Sequence, residues 1–355
     1  MIALEYYKIA YYCVIGFILF FVLLHALKEG TLFASNRFNN IMSVSLILIV
    51  VLFFGLRDPM GNWRYLGDTS NYTNLFNHFD PAMHKNEPGF NVLMKFGINY
   101  LNIRLFYVLC TCLYVIPVYV VFRKWFHNYA FYALALYISM LSFWGYGING
   151  IRNGLAAAIF IFSFLFYDKK PVMFLFMLLS VTFHNSMILP LFAFIISLIY
   201  RNTKVYTVIW VSALFFSVFF EHAIENLFSQ TLISSVERAN IFFVDELDGQ
   251  AVQRGFRIDF VIYSFVPILL GLYYIYRLKF SDKLYITLLN TYIIANSVWI
   301  LIIRATYTNR IAYLSWFIMS IVMIYPLLKE HLVKYQSHKI ILLILANLIL
   351  AFFYS

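Results

Sequence analysis

Charge is what this chain has least of. Only 12% of its 355 residues are Asp, Glu, Lys or Arg, and 63% are hydrophobic. A soluble domain carries about 25% charged and about 45–50% apolar residues, so a water-soluble globule is excluded. Acidic residues are scarcer than basic ones, 16 against 26. That excess is not read as a nucleic-acid surface, because basic residues in cytoplasmic loops set the orientation of a polytopic chain. Cysteine is almost absent. Cys13, Cys110 and Cys112 lie inside apolar stretches, where a thiol acts as a small hydrophobe, and their spacing fits neither a disulfide framework nor a zinc site. His78, His84 and His222 also lack metal-ligand spacing; no metal and no cofactor is expected. The glycine-rich "GYGING" (145–150) follows no strand and has no P-loop lysine, which argues against a nucleotide site. Neither an internal repeat nor a low-complexity segment is present.

What the chain does have is a succession of apolar runs, several of about twenty residues, enough to cross a bilayer. The first, 6–27, is too long for a signal-peptide core and has no small-residue cleavage site after it. It is read as the first span. Lysine-rich turns recur at 123–124, 169–170, 201–204, 277–283 and 329–339. Placing all of them inside gives one path with the N-terminus outside. Spans fall at 6–27, 39–56, 104–122, 129–147, 152–167, 205–220, 258–276, 284–303, 311–328 and 339–354. Residues 171–200 are apolar throughout with basic flanks at both ends. They are read as two short helices meeting near His184 rather than one long tilted span, because the pair keeps every lysine-rich turn inside. Short or broken helices in a membrane are tolerated where they line a polar cavity. The expected fold is therefore all-α and polytopic, with about 11 transmembrane helices and a range of roughly 10–12. Residues 1–355 form a single integral membrane domain, with external loops at 57–102 and 221–256.

The polar residues are few and concentrated. "GLRDPMGNWRYLGDTSNY" (55–72) follows an apolar run without a break and holds two arginines, two aspartates and three glycines. On the inferred path, lysine dominates the inner turns while arginine gathers outside. Arg57, Arg152, Arg257 and Arg310 sit at junctions between spans and outer loops. For any one of them, snorkelling or an ion pair with a nearby carboxylate is explanation enough. Four at one membrane face suggest a cationic cleft, because the planar guanidinium fork grips phosphate at two points. Asp259 is placed to hold Arg257. Candidate acids and bases are Asp68, which as plausibly caps a helix, Glu87 in "NEPGF", and His184. The last is alone in an apolar stretch, beside Asn185 and Ser186, and its neutral form can take a proton near pH 7. Tyr72, Leu75, Phe76 and Phe79 stand at helical spacing and predict an amphipathic helix over the outer face.

These residues, in this order, resemble the EpsG family of bacterial polysaccharide-biosynthesis membrane proteins, which overlaps with the Wzy-type O-antigen and capsule polymerases. The resemblance runs over roughly 50–315 and rests on Arg57, Gly67, Asp68 and Tyr72, "EPGF" (87–90), "IRNGLA" (151–156), "FHNSMILP" (183–190), "FRIDF" (256–260) and "NRIAY" (309–313). Asn153 stands where glutamine is more usual. The resemblance implies a GT-C-like, metal-independent glycosyltransferase in the bacterial cytoplasmic (inner) membrane, its site facing outward. It would join undecaprenyl-diphosphate-linked repeat units, with a flippase and a chain-length regulator as partners. Arg152, Arg257 and Arg310, with Arg57, would hold the diphosphate; His184, Asp68 and Glu87 would supply the base or orient the acceptor. A lipid-linked oligosaccharide flippase, or a ligase using the same donor, are the alternatives.

Overall fold

The computed structural model describes residues 3–81, 85–220, 246–247, 250–251 and 255–354. Most of the expected 221–256 loop lies outside these; a two-residue antiparallel pairing of Glu246–Leu247 with Gln250–Ala251 is described within it. Everything else regular is helical. In order, the helices are α1 (Leu4–Glu29), α2 (Asn36–Gly55), α3 (Trp63–Leu66), α4 (Thr69–Asn77), α5 (Pro88–Tyr100), α6 (Ile103–Phe126), α7 (Ala130–Ile138), α8 (Leu141–Trp144) and α9 (Ile151–Ser163). There follow α10 (Lys170–Phe183), α11 (Ile188–Ile199), α12 (Thr203–Phe219), α13 (Ile258–Leu272), α14 (Lys283–Leu301), α15 (Thr308–Trp316), α16 (Met319–Lys329) and α17 (Gln336–Tyr354).

The chain is an all-α, multi-pass membrane protein, as expected. Among the described residues, seven helical stretches are long and apolar enough to cross a bilayer. Ile151–Phe166, Lys170–Phe183, Asn185–Ile199 and Thr203–Phe219 are apolar but shorter, and a full crossing takes about 20 residues. The break at His184 is present. Its backbone is extended (φ −156°, ψ 121°), ending α10, and a single 3₁₀ turn, Asn185–Met187, leads into α11. The stretch Ile103–Ile138 reverses direction near its middle. His127 takes a left-handed conformation (φ 46°), and beyond it Tyr137 packs on Phe122 with ring centroids 6.0 Å apart.

The chain clusters into two compact units, Met1–Ile188 with Ile324–Ser355, and Leu189–Met323. In the first, ring contacts fix the helix directions. Tyr7 meets Phe53, so α1 and α2 are antiparallel. Phe38 meets Phe131, and Phe54 meets Phe143, so α2 runs with α7 and α8. Lys124 at the end of α6 donates to the Leu165 carbonyl (2.7 Å), while a β-carbon on Gly154 would touch the Tyr114 ring; α6 and α9 therefore run together. Phe162 and Phe166 both pack on Phe176, folding α10 back along α9. Tyr12 meets Phe352, so α17 lies antiparallel to α1. These directions sort the unit into two ends. One end carries Lys28, Arg37, Arg123, Lys124, Lys169 and Lys170. The other gathers the end of α2, the starts of α5, α6 and α9, and the end of α10.

The second unit is held by buried polar bridges around α14. Asn296, fully buried, accepts from Trp210 Nε1 (2.7 Å) and donates to Ser315 Oγ (2.9 Å). Ser264 accepts from Trp316 Nε1 through its hydroxyl (2.8 Å) and from the Tyr292 hydroxyl through its carbonyl (2.9 Å). Between helices in lipid, where apolar contact gives little preference for association, such bonds add specificity. Replacing Asn296 with Leu strands the Trp210 and Ser315 groups. We expect a loss of about 1–2 kcal/mol, seen as a lower Tm of the detergent-solubilised protein; an unchanged Tm would show that Asn296 bridges nothing of consequence.

Candidate functional site

The site begins with a close approach between two helices. Pro88 is the first residue of α5 and sets its start. Gly89 follows, and a β-carbon there would meet Thr182 Oγ1 at 2.3 Å and the Phe183 ring at 2.8 Å. Only glycine lets the start of α5 lie against the end of α10. The sequence "EPGF" thus places Glu87 beside His184. The third element is α9, which opens at Gly150 after a π turn over Gly145–Asn149. Arg152, the second residue of α9, projects toward the same carboxylate. Beneath them lies an apolar floor of Phe90, Met94, Phe106, Tyr107, Ile151 and Leu155, against which Phe183 packs.

Glu87 joins two bases. Its Oε2 accepts from Arg152 Nη1, and its Oε1 stands 3.6 Å from His184 Nε2. The side chains of Glu87, Arg152 and His184 are 10%, 20% and 22% exposed, so the group is shielded yet reachable. Arg152 Nε also donates to the Tyr72 hydroxyl at 3.4 Å. On its other edge, His184 Nδ1 accepts from the Ser186 backbone N–H (3.2 Å) and lies 2.6 Å from Ser186 Oγ, which donates to Asn153 Oδ1 (3.1 Å). The backbone bond assigns the lone pair to Nδ1. The neutral ring then keeps its proton on Nε2, the nitrogen facing Glu87.

Asp68 is differently engaged. It precedes α4 without capping it by its side chain; its Oδ1 accepts from Asn71 Nδ2 (3.2 Å), and its backbone N–H donates to Asn149 Oδ1 (2.9 Å). Gly67 makes that docking possible, with φ +51° and a β-carbon position 2.6 Å from Asn149 Oδ1. The helix predicted from Tyr72, Leu75 and Phe76 is α4, and these side chains, with Phe79 just beyond it, cover the apolar floor. Its hold is polar as well: Tyr107 donates to the Thr69 carbonyl (2.8 Å) and shares a bond with Thr73 Oγ1 (2.8 Å).

Arg57 is inside the wall. It is 1% exposed, its guanidinium lies 4.0 Å from the Tyr107 ring centroid, and Nη1 donates to the carbonyls of Phe54 and Gly147. Burial lowers its pKa from the ordinary arginine value, and Tyr107 is first among the groups that oppose this. Its Nε and Nη2 have no acceptor among the described residues, and Arg57 lines a small cavity with Cys110, Thr111 and Tyr146.

The second unit holds the other two arginines. Arg257 grips Asp259 at two points, Nε to Oδ1 (2.9 Å) and Nη2 to Oδ2 (2.6 Å), and lies 3.7 Å from the Phe260 ring centroid. Arg310 stands 4.8 Å from the ring centroid of Tyr307, a residue in left-handed conformation (φ 56°).

The polar order along the chain is therefore Arg57, Asp68, Tyr72, Glu87, Arg152, His184, Arg257, Asp259 and Arg310. The family model for the EpsG family matches residues 40–355, most of the chain and every one of these positions. The chain belongs to the EpsG family. No curated protein and no solved structure matches it.

Three partners were not singled out as site residues in the sequence. Ser186 and Asn153 carried a faint signal: a hydroxyl two residues after a histidine is placed for local capping, and Asn153 departs from the usual glutamine. Tyr107 carried none, being one aromatic in an apolar helix. The prediction from this geometry concerns Gly89. Gly89→Val drives α5 off α10 and separates Glu87 from His184, so we expect activity to fall at least as far as in Glu87→Ala while the protein still inserts and melts cooperatively. Wild-type activity in Gly89→Val would show that the approach does not position the site.

Proposed function

We propose that this EpsG-family protein is a polysaccharide polymerase, a membrane glycosyltransferase that joins undecaprenyl-diphosphate-linked oligosaccharide repeat units. The single observation that carries the reading is the Glu87–Arg152–His184 cluster. It unites an anion-binding fork and proton-handling groups at one end of a helical unit, in a chain of this family. The reaction needs those two things. The leaving diphosphate must have its growing charge stabilised, and the acceptor hydroxyl must lose a proton. Arg152 takes the first task in this reading; Arg257 and Arg310 are the corresponding cations of the second unit. Asp259 keeps the Arg257 fork oriented, as its two-point bond supports.

Glu87 is favoured as the base over His184. The histidine has Nδ1 engaged by Ser186 and its remaining proton aimed at Glu87, which suits a residue that orients a carboxylate. Tyr72 belongs to the helix that roofs the floor and Asp68 immediately precedes it; both bear on the acceptor sugar in this reading. Arg57, enclosed on all sides, serves the wall. The site's end of the first unit is opposite the end rich in lysine. Because lysine and arginine favour the cytoplasmic side, this supports a site facing outward from the bacterial cytoplasmic membrane. Free lipid-linked repeats would come from a flippase, and a separate regulator would set chain length.

The test is reconstitution. Full-length protein in vesicles with lipid-linked repeats should build longer glycans, and a deletion strain should accumulate single lipid-linked repeats. Arg152→Ala and Arg310→Ala should each lower polymerisation by about 100-fold or more. Translocation of repeats without lengthening would replace the polymerase by a transporter. Wild-type polymerisation in either variant would remove that arginine from the diphosphate.

A further inference from the structure

We infer that Glu87 occupies, from within the protein, the seat that a substrate phosphate takes on Arg152, and that the incoming diphosphate frees Glu87 to act as base. The inference rests on the polymerase reading and adds an order of events to it.

Three observations meet here. Arg152 is held by an internal anion, Glu87 Oε2, with the Tyr72 hydroxyl at its other edge. A carboxylate and a phosphate present oxygens to a guanidinium in the same planar fashion, so one displaces the other. The displacement is also reachable, since the Arg152 side chain is 20% exposed, whereas the enclosed Arg57 has no such opening. Second, a carboxylate beside a guanidinium is a poor base, because the neighbouring cation favours its charged form. While Arg152 grips it, Glu87 cannot accept a proton readily. Once the grip passes to a diphosphate, Glu87, 8% exposed in the structure, has a new negative charge beside it, which disfavours its own charged form. Third, His184 does not let go with Arg152. Its ring is pinned through Nδ1, which accepts from the Ser186 backbone N–H, and the Ser186 hydroxyl in turn donates to Asn153 on α9. Its Nε2–H keeps Glu87 in position after the exchange.

The step then balances. The acceptor hydroxyl oxygen bonds to the anomeric carbon of the donor, and its proton passes to Glu87. The bond from that carbon to the diphosphate oxygen breaks, and its electron pair leaves with the diphosphate, whose charge Arg152 now holds. Without a diphosphate on Arg152 the base stays masked, which guards the site against water attacking a poorly seated donor. Glu87, which takes the proton, is a catalytic residue in this scheme; Ser186 and Asn153 are positioning residues.

The experiment is a binding comparison on the full-length detergent-solubilised protein, with inorganic pyrophosphate as the probe and calorimetry as the readout. Glu87→Gln removes the competing charge and should bind pyrophosphate about tenfold tighter than wild type, while losing polymerisation. Adding Arg152→Gln should abolish the tightening. Equal or weaker binding by Glu87→Gln overturns the inference, as does tightening that survives Arg152→Gln. If Glu87→Gln does not melt cooperatively, Glu87→Asp, whose shorter arm reaches Arg152 less well, takes its place with the same expected direction. Ser186→Ala should leave the pyrophosphate affinity unchanged and shift the pH profile of polymerisation. The two readings fail separately: exchange without glycan lengthening in the reconstituted system removes the polymerase, and lengthening without exchange removes the masked base.

Discussion

A carboxylate shared between a guanidinium and an imidazole organises the described end of the first unit. Glu87 could not be left alone there. At 8% exposure an isolated carboxylate loses most of its hydration, and the cost of that loss is far larger than any packing it gains. Arg152 and His184 supply the compensation, and each is carried by a different helix, α9 and α10. Three chain segments distant in sequence are thereby committed to one another. Conventional apolar packing would bring the helices together as well, but it would not fix which residues face inward at their ends.

The scaffold around the pair explains why it can be both shielded and reachable. The helices of the first unit alternate in direction, so their ends alternate too, and polar side chains can cluster at an end without crossing the apolar middle. Gly89 allows the start of α5 to touch Thr182 and Phe183 directly. Tyr107 ties α4 to α6 through Thr69 and Thr73 while its ring carries the Arg57 cation. One aromatic residue thus joins the roof of the site to its wall.

Much of this was legible in the sequence, for physical reasons. Lipid demands long apolar runs, so the spans 6–27, 39–56 and 339–354 correspond to α1, α2 and α17 within a few residues. The conjunction of His184, Asn185 and Ser186 in an apolar stretch marks a helix break, because a ring nitrogen and a hydroxyl there compete for backbone partners. The span count was less legible, because four apolar helices among the described residues fall short of a full crossing length and hydropathy alone does not say which of them cross. The fate of Arg57 was hidden too. Its sequence neighbourhood looks like that of a surface arginine, yet Tyr107, fifty residues away, encloses it.

The helix dipole sorts the four arginines. Arg57 follows α2, and its Nη1 reaches the Phe54 carbonyl near the C-terminal end of that helix, where partial negative charge favours a cation. Arg152 is the second residue of α9, Arg257 immediately precedes α13, and Arg310 is the third residue of α15. A helix start carries partial positive charge, which disfavours a cation by about 0.3–1 kcal/mol. Each of these three therefore adds its charge to an end that already attracts anions. Arg152 has Glu87 and Arg257 has Asp259 as counter-charges, both drawn from the protein itself. A cation placed against the dipole binds an anion more strongly than one placed with it, because the helix contributes to the same field. The helix starts that cost these cations something in folding are offset at Arg152 and Arg257 by carboxylates of the protein itself.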